Sequence, residues 1–208
     1  MPTYKFYKFW VIPNSRYLIA LMLSAPAKPI TLEEFLQLPE TKPASEYVEG
    51  EIIQKPMPKG RHSCLQYEIC HAINQITKIP KIAYAFPELR CTMNKRSLVP
   101  DIAVFRWQSI PSLADGEVPD SFNISPDWVI EILSPDQSAS KVISNLLYCL
   151  ENGSQLAWFL DPNEQSMLIF LGDRQPIFME GNNIPLALEG INLGLTVAQI
   201  FSWLKMGG

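Results

Sequence analysis

The stretch Pro100-Asp101-Ile102-Ala103-Val104-Phe105 places one acidic residue at the head of an apolar run that predicts a strand. A second stretch, Trp128-Val129-Ile130-Glu131-Ile132-Leu133, places another acidic residue inside a predicted strand. A carboxylate among β-branched and aromatic neighbours is costly to remove from water unless a cation, a hydrogen-bond network or a metal ion compensates. If the two strands lie side by side, Asp101 and Glu131 form a candidate site for a divalent metal ion.

Composition indicates an ordinary globular protein. A chain of 208 residues is long enough for one domain with a substantial core. Its 47% hydrophobic and 18% charged residues show no signature of disorder. The net charge of -4 argues against a broad basic surface for nucleic acid, although a local basic groove is compatible with it.

The first 28 residues precede the regular pattern. Basic residues lie ahead of the apolar run 17–23, as in a secretion signal, but this run is short and Pro26 interrupts the small-residue cleavage site. A start at Met22 would lose nothing of the later pattern. We therefore expect residues 1–28 to be an N-terminal extension, with a non-native start as the alternative to a signal, and residues 29–208 to be a single domain.

The cysteines indicate a reducing compartment. Cys64, Cys70, Cys91 and Cys149 lack the close spacing of a metal site and lie in mixed or apolar stretches. We expect free thiols, which suit the cytoplasm. No stretch of the sequence is long enough to span a bilayer.

Hydrophobic periodicity predicts a mixed α/β domain, with one central sheet flanked by helices. Helices are predicted near residues 31–38, 62–76, 137–152 and 196–204. Strands are predicted within residues 45–53 as a hairpin, and then at 81–86, 88–93, 101–107, 128–133, 155–160, 167–171 and 176–180.

The order helix, hairpin, acidic strand, acidic strand, helix resembles the core of the PD-(D/E)XK nucleases. In that motif a lysine occupies the second position after the second acidic residue, but this sequence has Leu133 there. Lys141, near the start of the next helix, could return its ammonium over the strand ends because lysine has a long flexible stem. Asn145, one helical turn further on, could hydrogen-bond nearby. The alternative for Lys141 is an ordinary solvated helix residue.

Longer blocks resemble one family, the Uma family of restriction-endonuclease-like proteins within the PD-(D/E)XK nuclease superfamily. The resemblance covers about Pro29 to Leu204. It is carried by residues 46–52 (EYVEGEI), 62–63 (HS), 86–91 (FPELRC), 99–105 (VPDIAVF) and 125–135 (SPDWVIEILSP). It implies a restriction-endonuclease-like fold, endonuclease activity that depends on magnesium, with manganese as a substitute, and a homodimer.

Three further residues are candidates for supporting roles at the same site. Glu46 lies where related nucleases often supply another acidic ligand, although it could be an exposed turn residue. His62 begins a predicted helix and could face a phosphate or serve only the helix start. Glu88 could add a carboxylate from the strand before Asp101, or pair with Arg90.

We therefore expect a magnesium-dependent endonuclease acting on nucleic acid, most simply DNA. Asp101, Glu131 and Lys141 are the expected catalytic residues, and the first two are the expected metal ligands. The alternative is a non-catalytic nuclease-like fold that binds nucleic acid or a protein. Leu133 and the sequence pI of about 5.3 favour that alternative.

Overall fold

Two β-sheets and four α-helices form the part of the chain described by this computed structural model, residues 29–172 and 174–207. The predicted extension, residues 1–28, lies outside the described residues. The helices are α1 (Leu32–Leu36), α2 (Gly60–Thr77), α3 (Ala139–Glu151) and α4 (Val197–Ser202). The strands are β1 (Ser45–Val48), β2 (Glu51–Gln54), β3 (Ala83–Pro87), β4 (Arg90–Met93), β5 (Arg96–Leu98), β6 (Ile102–Arg106), β7 (Ser121–Phe122), β8 (Trp128–Ile132), β9 (Leu156–Asp161), β10 (Ser166–Phe170) and β11 (Ile177–Glu180).

The strands form a large sheet and a small sheet. The large sheet has six strands in the order β11-β10-β9-β8-β6-β3, and the small sheet has five in the order β2-β1-β5-β4-β7. Each sheet is mixed, with one parallel pair, β8 with β9 in the large sheet and β4 with β7 in the small one. The predicted α/β class with a mixed sheet is confirmed, whereas the single central sheet becomes two.

Two corners in the chain explain the division into two sheets. Between β3 and β4 the chain turns at Pro87 and Glu88, and Glu88 adopts a left-handed backbone with φ of 48°. Between β5 and β6 it turns at Pro100, which has no N–H to donate to a ladder. Sheet changes at such bends are typical of packed sheets. β5 and β7 were not predicted, since runs of two or three residues carry too little periodicity.

The large sheet is covered on both faces. On one face the residues Ile102, Val104, Trp128 and Ile130 pack in the core that α2 and α4 cover. On the other face Ala103, Phe105, Val129 and others pack against α3 and the small sheet. Because side chains alternate along a strand, Asp101 and Glu131 share the parity of this second face. The two acidic residues therefore point toward α3 and the small sheet.

Helix α2 closes one edge of the large sheet. Asn74 donates from Nδ2 to the carbonyl of Ala85 at 2.9 Å and accepts from the Ala85 N–H at 2.8 Å. Ala85 belongs to β3, an edge strand whose backbone groups would otherwise lack a partner on that side.

Among the described helices, none is both long enough and apolar enough to cross a membrane.

We expect Asn74→Ala to destabilise the fold, because it leaves both backbone groups of Ala85 without their partner. The free energy of unfolding should fall by about 2 kcal/mol, measured by urea denaturation. Gln75→Ala, at the exposed neighbouring position of the same helix, is the control and should change it by less than about 0.5 kcal/mol. Equal losses in the two variants would show that Asn74 does not secure the edge strand.

Candidate active site

Strands β6 and β8 bring the two acidic residues together. They are antiparallel neighbours with Ile102 opposite Ile130, and this register extended by one residue sets Asp101 opposite Glu131. Both carboxylates are buried. Two buried carboxylates on paired strands need a compensating positive charge, because neither can be solvated by water.

The compensating charge comes from Lys55, which directly follows β2 in the small sheet. Its ammonium lies 2.7 Å from Asp101 Oδ1 and 3.7 Å from Glu131 Oε2, and it donates to the carbonyl of Val99 at 2.7 Å. The Lys55 side chain is only 13% exposed. An ammonium thus occupies the place between the two carboxylates that the motif lysine was expected to reach.

The pKa values of the two carboxyl groups beside Lys55 are shifted in opposite directions. Burial opposes ionisation of Asp101, but the Lys55 ammonium and the His62 hydrogen bond outweigh it and hold the pKa of Asp101 below its usual range. Burial and the neighbouring Asp101 charge raise the pKa of Glu131 well above its usual range. Burial also opposes the Lys55 charge, but Asp101, Glu131 and Glu46 raise the pKa of Lys55. The pair therefore behaves as one carboxylate and one group that readily keeps a proton.

Asp101 is fixed by contacts from three elements. Its Oδ2 accepts the backbone N–H of Ile132 at 2.8 Å and lies 2.9 Å from His62 Nε2. Gln66, on the same helix as His62, donates to the Asp101 carbonyl at 2.8 Å. The predicted position of His62 at this site is therefore observed, and Gln66 has a structural contact there. The other ring nitrogen of His62, Nδ1, is buried without a hydrogen-bond partner in the described structure.

Glu46 and Asn145 form a second row behind Lys55. Glu46 is buried in β1, and its Oε1 accepts the Val99 N–H at 2.8 Å. Burial raises its pKa, and the Lys55 charge opposes this only in part. Asn145 donates to the other Glu46 oxygen at 3.4 Å. The structure therefore joins Glu46 to the site and rules out an exposed turn position for it.

Two predicted residues lie further from the carboxylates. Glu88 is exposed at the corner between β3 and β4, where only its backbone N–H contacts Asp101, through the Asp101 carbonyl at 3.2 Å. Lys141 is exposed in α3, and within the described residues it forms no ion pair. The lysine in contact with both carboxylates is Lys55, not Lys141.

Two clefts meet at this site. The first, of about 580 Å³, is lined by Asp101, His62 and Glu88, among others. The second, of about 470 Å³, is lined by Glu131, Glu46 and the exposed face of α3. Lys55, Pro56 and Gln137 line both. Asp101 is therefore reached from the first cleft and Glu131 from the second, with the three shared residues between the clefts.

The carboxylate oxygens of Asp101 and Glu131 suit a hard divalent cation that needs few protein ligands. Among the described residues no group of three or more His, Cys, Asp or Glu side chains is arranged as a metal cage. Mg²⁺, however, is commonly held by one or two carboxylates, with water and substrate phosphate completing its shell. Three buried carboxyl groups facing one ammonium leave an excess of potential negative charge. Asp101 and Glu131 therefore fit such an ion.

Comparison with known proteins agrees with the fold. Residues 32–198 match the Uma2 family, described as "putative restriction endonuclease". A crystal structure described as a "putative nuclease belonging to DUF820", from Anabaena variabilis ATCC 29413, is 48% identical. The match covers 85% of this chain and 100% of that one, with a TM-score of 0.81. No curated protein matches this chain.

The fold and the family match define a restriction-endonuclease-like protein. The chain belongs to the Uma2 family. The predicted resemblance is therefore confirmed. The residue that sequence reasoning missed is Lys55, which lies two residues beyond the predicted hairpin that carries Glu46.

We expect Lys55→Met to destabilise the protein by about 3 kcal/mol near neutral pH, because it leaves buried carboxylates without their cation. Without Lys55, burial would raise the pKa of both Asp101 and Glu131 above their unfolded values. Groups with raised pKa favour the folded state at low pH, and this contribution is lost as pH rises through the folded pKa. The deficit relative to wild type should therefore shrink as pH falls toward about 4.

Urea denaturation of both proteins from pH 4 to 8 measures this effect. Lys59→Met is the matched control, since the Lys59–Asp136 ion pair joins two exposed side chains and is worth about 0.5 kcal/mol. A deficit that is small, or that does not vary with pH, would contradict the assigned role of Lys55.

Proposed function

We propose that this protein is a metal-dependent nuclease that hydrolyses phosphodiester bonds of nucleic acid at the Asp101–Glu131 pair. The observation that carries the proposal is the Lys55 ammonium lying between these carboxylates on two adjacent strands. This arrangement resembles the acid–acid–lysine set of the PD-(D/E)XK core, with the lysine supplied by the residue that follows β2. Membership of the Uma2 family supports the same function.

Asp101 and Glu131 would hold Mg²⁺, with Mn²⁺ as a substitute. Glu46 would assist by adding a negative charge near Lys55 and Glu131. When bound, a divalent ion lowers the pKa of a coordinated water and stabilises charge on the scissile phosphate. The chain's own residues support this chemistry. His62 and the Ile132 N–H contact Asp101 Oδ2, and Lys55 contacts Oδ1, so the orientation of the carboxylate is fixed from both sides.

Lys55 would position the attacking water and offset the negative charge that develops at phosphorus. The water oxygen forms a new bond to phosphorus while the bond to one ester oxygen breaks. That ester oxygen takes up a proton, so the products are a phosphate monoester and a hydroxyl. Glu131, whose pKa is raised by burial and by Asp101 in the metal-free protein, would give up its proton when the divalent ion binds.

The finer features of the function are also proposals. We expect DNA as the substrate, on the family's description as restriction endonucleases. A homodimer would present two sites to two strands and more basic surface than one chain of net charge -4. The four free cysteines of the described residues suit a cytoplasmic location.

The alternative of a non-catalytic binding module rested mainly on Leu133 in the motif position of lysine. Lys55 supplies an ammonium to the same carboxylates, so the leucine is a weaker argument against catalysis. The acidic composition is equally compatible with an enzyme whose buried carboxylates belong to a metal site.

The test is hydrolysis of bis(p-nitrophenyl) phosphate and of plasmid DNA with Mg²⁺ or Mn²⁺. We expect activity that EDTA abolishes and that falls at least about 100-fold in Asp101→Asn and in Lys55→Gln. Lys59→Gln, four residues beyond Lys55 and exposed, should retain the wild-type rate. Circular dichroism checks that each variant is folded, and Lys55→Arg provides a second variant that keeps the charge.

Wild-type rates in a folded Lys55→Gln variant would contradict the role of Lys55. Absence of hydrolysis by the wild-type protein on every nucleic acid and ester tested would contradict the nuclease proposal and favour the binding module.

A further inference from the structure

The second cleft holds two cations that the proposed chemistry at Asp101 and Glu131 does not use. Arg96, from β5, and Lys141, from α3, both line it together with Glu131. This cleft lies on the Glu131 side of Lys55, whereas the first cleft lies on the Asp101 side. A substrate chain bound in this cleft would lie beside both cations.

Arg96 is held rigidly and is incompletely satisfied. Its side chain is 12% exposed, its Nη2 lies 2.6 Å from Glu49 Oε1, and its guanidinium carbon lies 4.1 Å from the Tyr148 ring centroid. Its Nε is buried and has no hydrogen-bond partner in the described structure. A guanidinium that is stacked on an aromatic ring and fixed by one carboxylate is preorganised to receive an anion.

Asn145 connects Arg96 to the carboxylate centre. Its side-chain oxygen accepts from Arg96 Nη1 at 3.5 Å, and its amide nitrogen donates to Glu46 Oε2 at 3.4 Å. Both distances are at the long limit for hydrogen bonds. Arg96 is therefore separated from Glu46 by one side chain.

Lys141 complements Arg96 from the opposite element. It is exposed and forms no ion pair among the described residues. The acidic residues of this cleft are otherwise engaged or peripheral. Glu46 and Glu131 belong to the carboxylate centre, Asp136 pairs with Lys59 at 2.6 Å, and Glu51 is exposed on β2.

The first cleft is also lined by two cations besides Lys55, the exposed Lys42 and the buried Arg90. Its arginine, Arg90, is bound to both carboxylate oxygens of Glu40, at 2.7 and 2.6 Å, and also to Ser97 and to the Ser45 carbonyl. Those contacts occupy its guanidinium. Every guanidinium nitrogen of Arg90 is therefore hydrogen-bonded, whereas Arg96 Nε has no partner in the described structure, and this difference favours the second cleft for an anion.

We propose that the second cleft is a phosphate subsite, which takes the backbone phosphate next to the scissile one, with Lys141 and Arg96 as its contacts. The inference rests on the proposed nuclease function, since it assigns the position of that substrate. Lys141 is then a substrate-binding residue and Lys55 alone supplies the catalytic ammonium. Small esters with a single phosphate do not reach the subsite.

The test compares substrates with and without the neighbouring phosphate. Thymidylyl-thymidine is used bare, with a 5′-phosphate and with a 3′-phosphate, beside bis(p-nitrophenyl) phosphate. We expect one terminal phosphate to raise kcat/KM about tenfold, the value of one charge-assisted hydrogen bond. Lys141→Ala should remove that gain, so that kcat/KM no longer differs between the phosphorylated and the bare dinucleotide. Lys205→Ala, an exposed lysine that lines neither cleft, is the matched control.

A binding measurement separates this proposal from the nuclease proposal. In the Asp101→Asn background, calorimetry with the same dinucleotides should show about tenfold tighter binding with the terminal phosphate, lost in Lys141→Ala and reduced in Arg96→Lys. Thermal unfolding checks that Arg96→Lys remains folded, because Arg96 also packs on Tyr148.

Each outcome decides one claim. Equal losses on all substrates in Lys141→Ala would make Lys141 catalytic and overturn the subsite. No effect of either the terminal phosphate or Lys141 on rate and binding would also overturn it. Phosphate-dependent binding without any hydrolysis by the wild type would support the subsite and contradict the nuclease function.

Discussion

The buried ammonium of Lys55 is the interaction on which the rest of this structure depends. Two carboxylates on paired strands, with a third behind them, are unfavourable in an apolar interior unless a cation lies within a few ångströms. Lys55 meets that requirement at 2.7 Å from Asp101 and 3.7 Å from Glu131. The proposed hydrolysis of a phosphodiester would use the same ammonium.

The division into two sheets serves this contact. The large sheet supplies the carboxylates from β6 and β8, while the small sheet supplies Lys55 and Glu46 from one hairpin. The corner at Pro100 passes the chain from the small sheet to the large one directly before Asp101. Val99, at that corner, binds Glu46 through its N–H and Lys55 through its carbonyl. The same contacts therefore hold the two sheets together and assemble the site.

Sequence reasoning succeeded where burial and charge conflict within a local pattern. Asp101 and Glu131 are conspicuous because their neighbours are apolar, and a long periodic segment such as α2 is predicted from its own residues. Lys55 was missed because a lysine at the end of a short exposed strand is ordinary, and its meaning depends on a contact 46 residues away in the chain. Lys141 was favoured because it lies near Glu131 in sequence, whereas β2 approaches Asp101 only through sheet packing. The two-sheet division was missed for the same reason, since it depends on pairing between distant strands.

The central claim is that Asp101 and Glu131 form a divalent-metal centre beside Lys55. Calorimetric titration of the wild-type protein with Mn²⁺ and Mg²⁺, compared with the Asp101→Asn and Glu131→Gln variants, tests it most directly. Asp115→Asn removes the same charge from an exposed loop that lines neither cleft and serves as the control. The account predicts one site per chain in the wild type and in the control, lost in either of the other variants. No binding by the wild type, or binding that survives both substitutions, would contradict it.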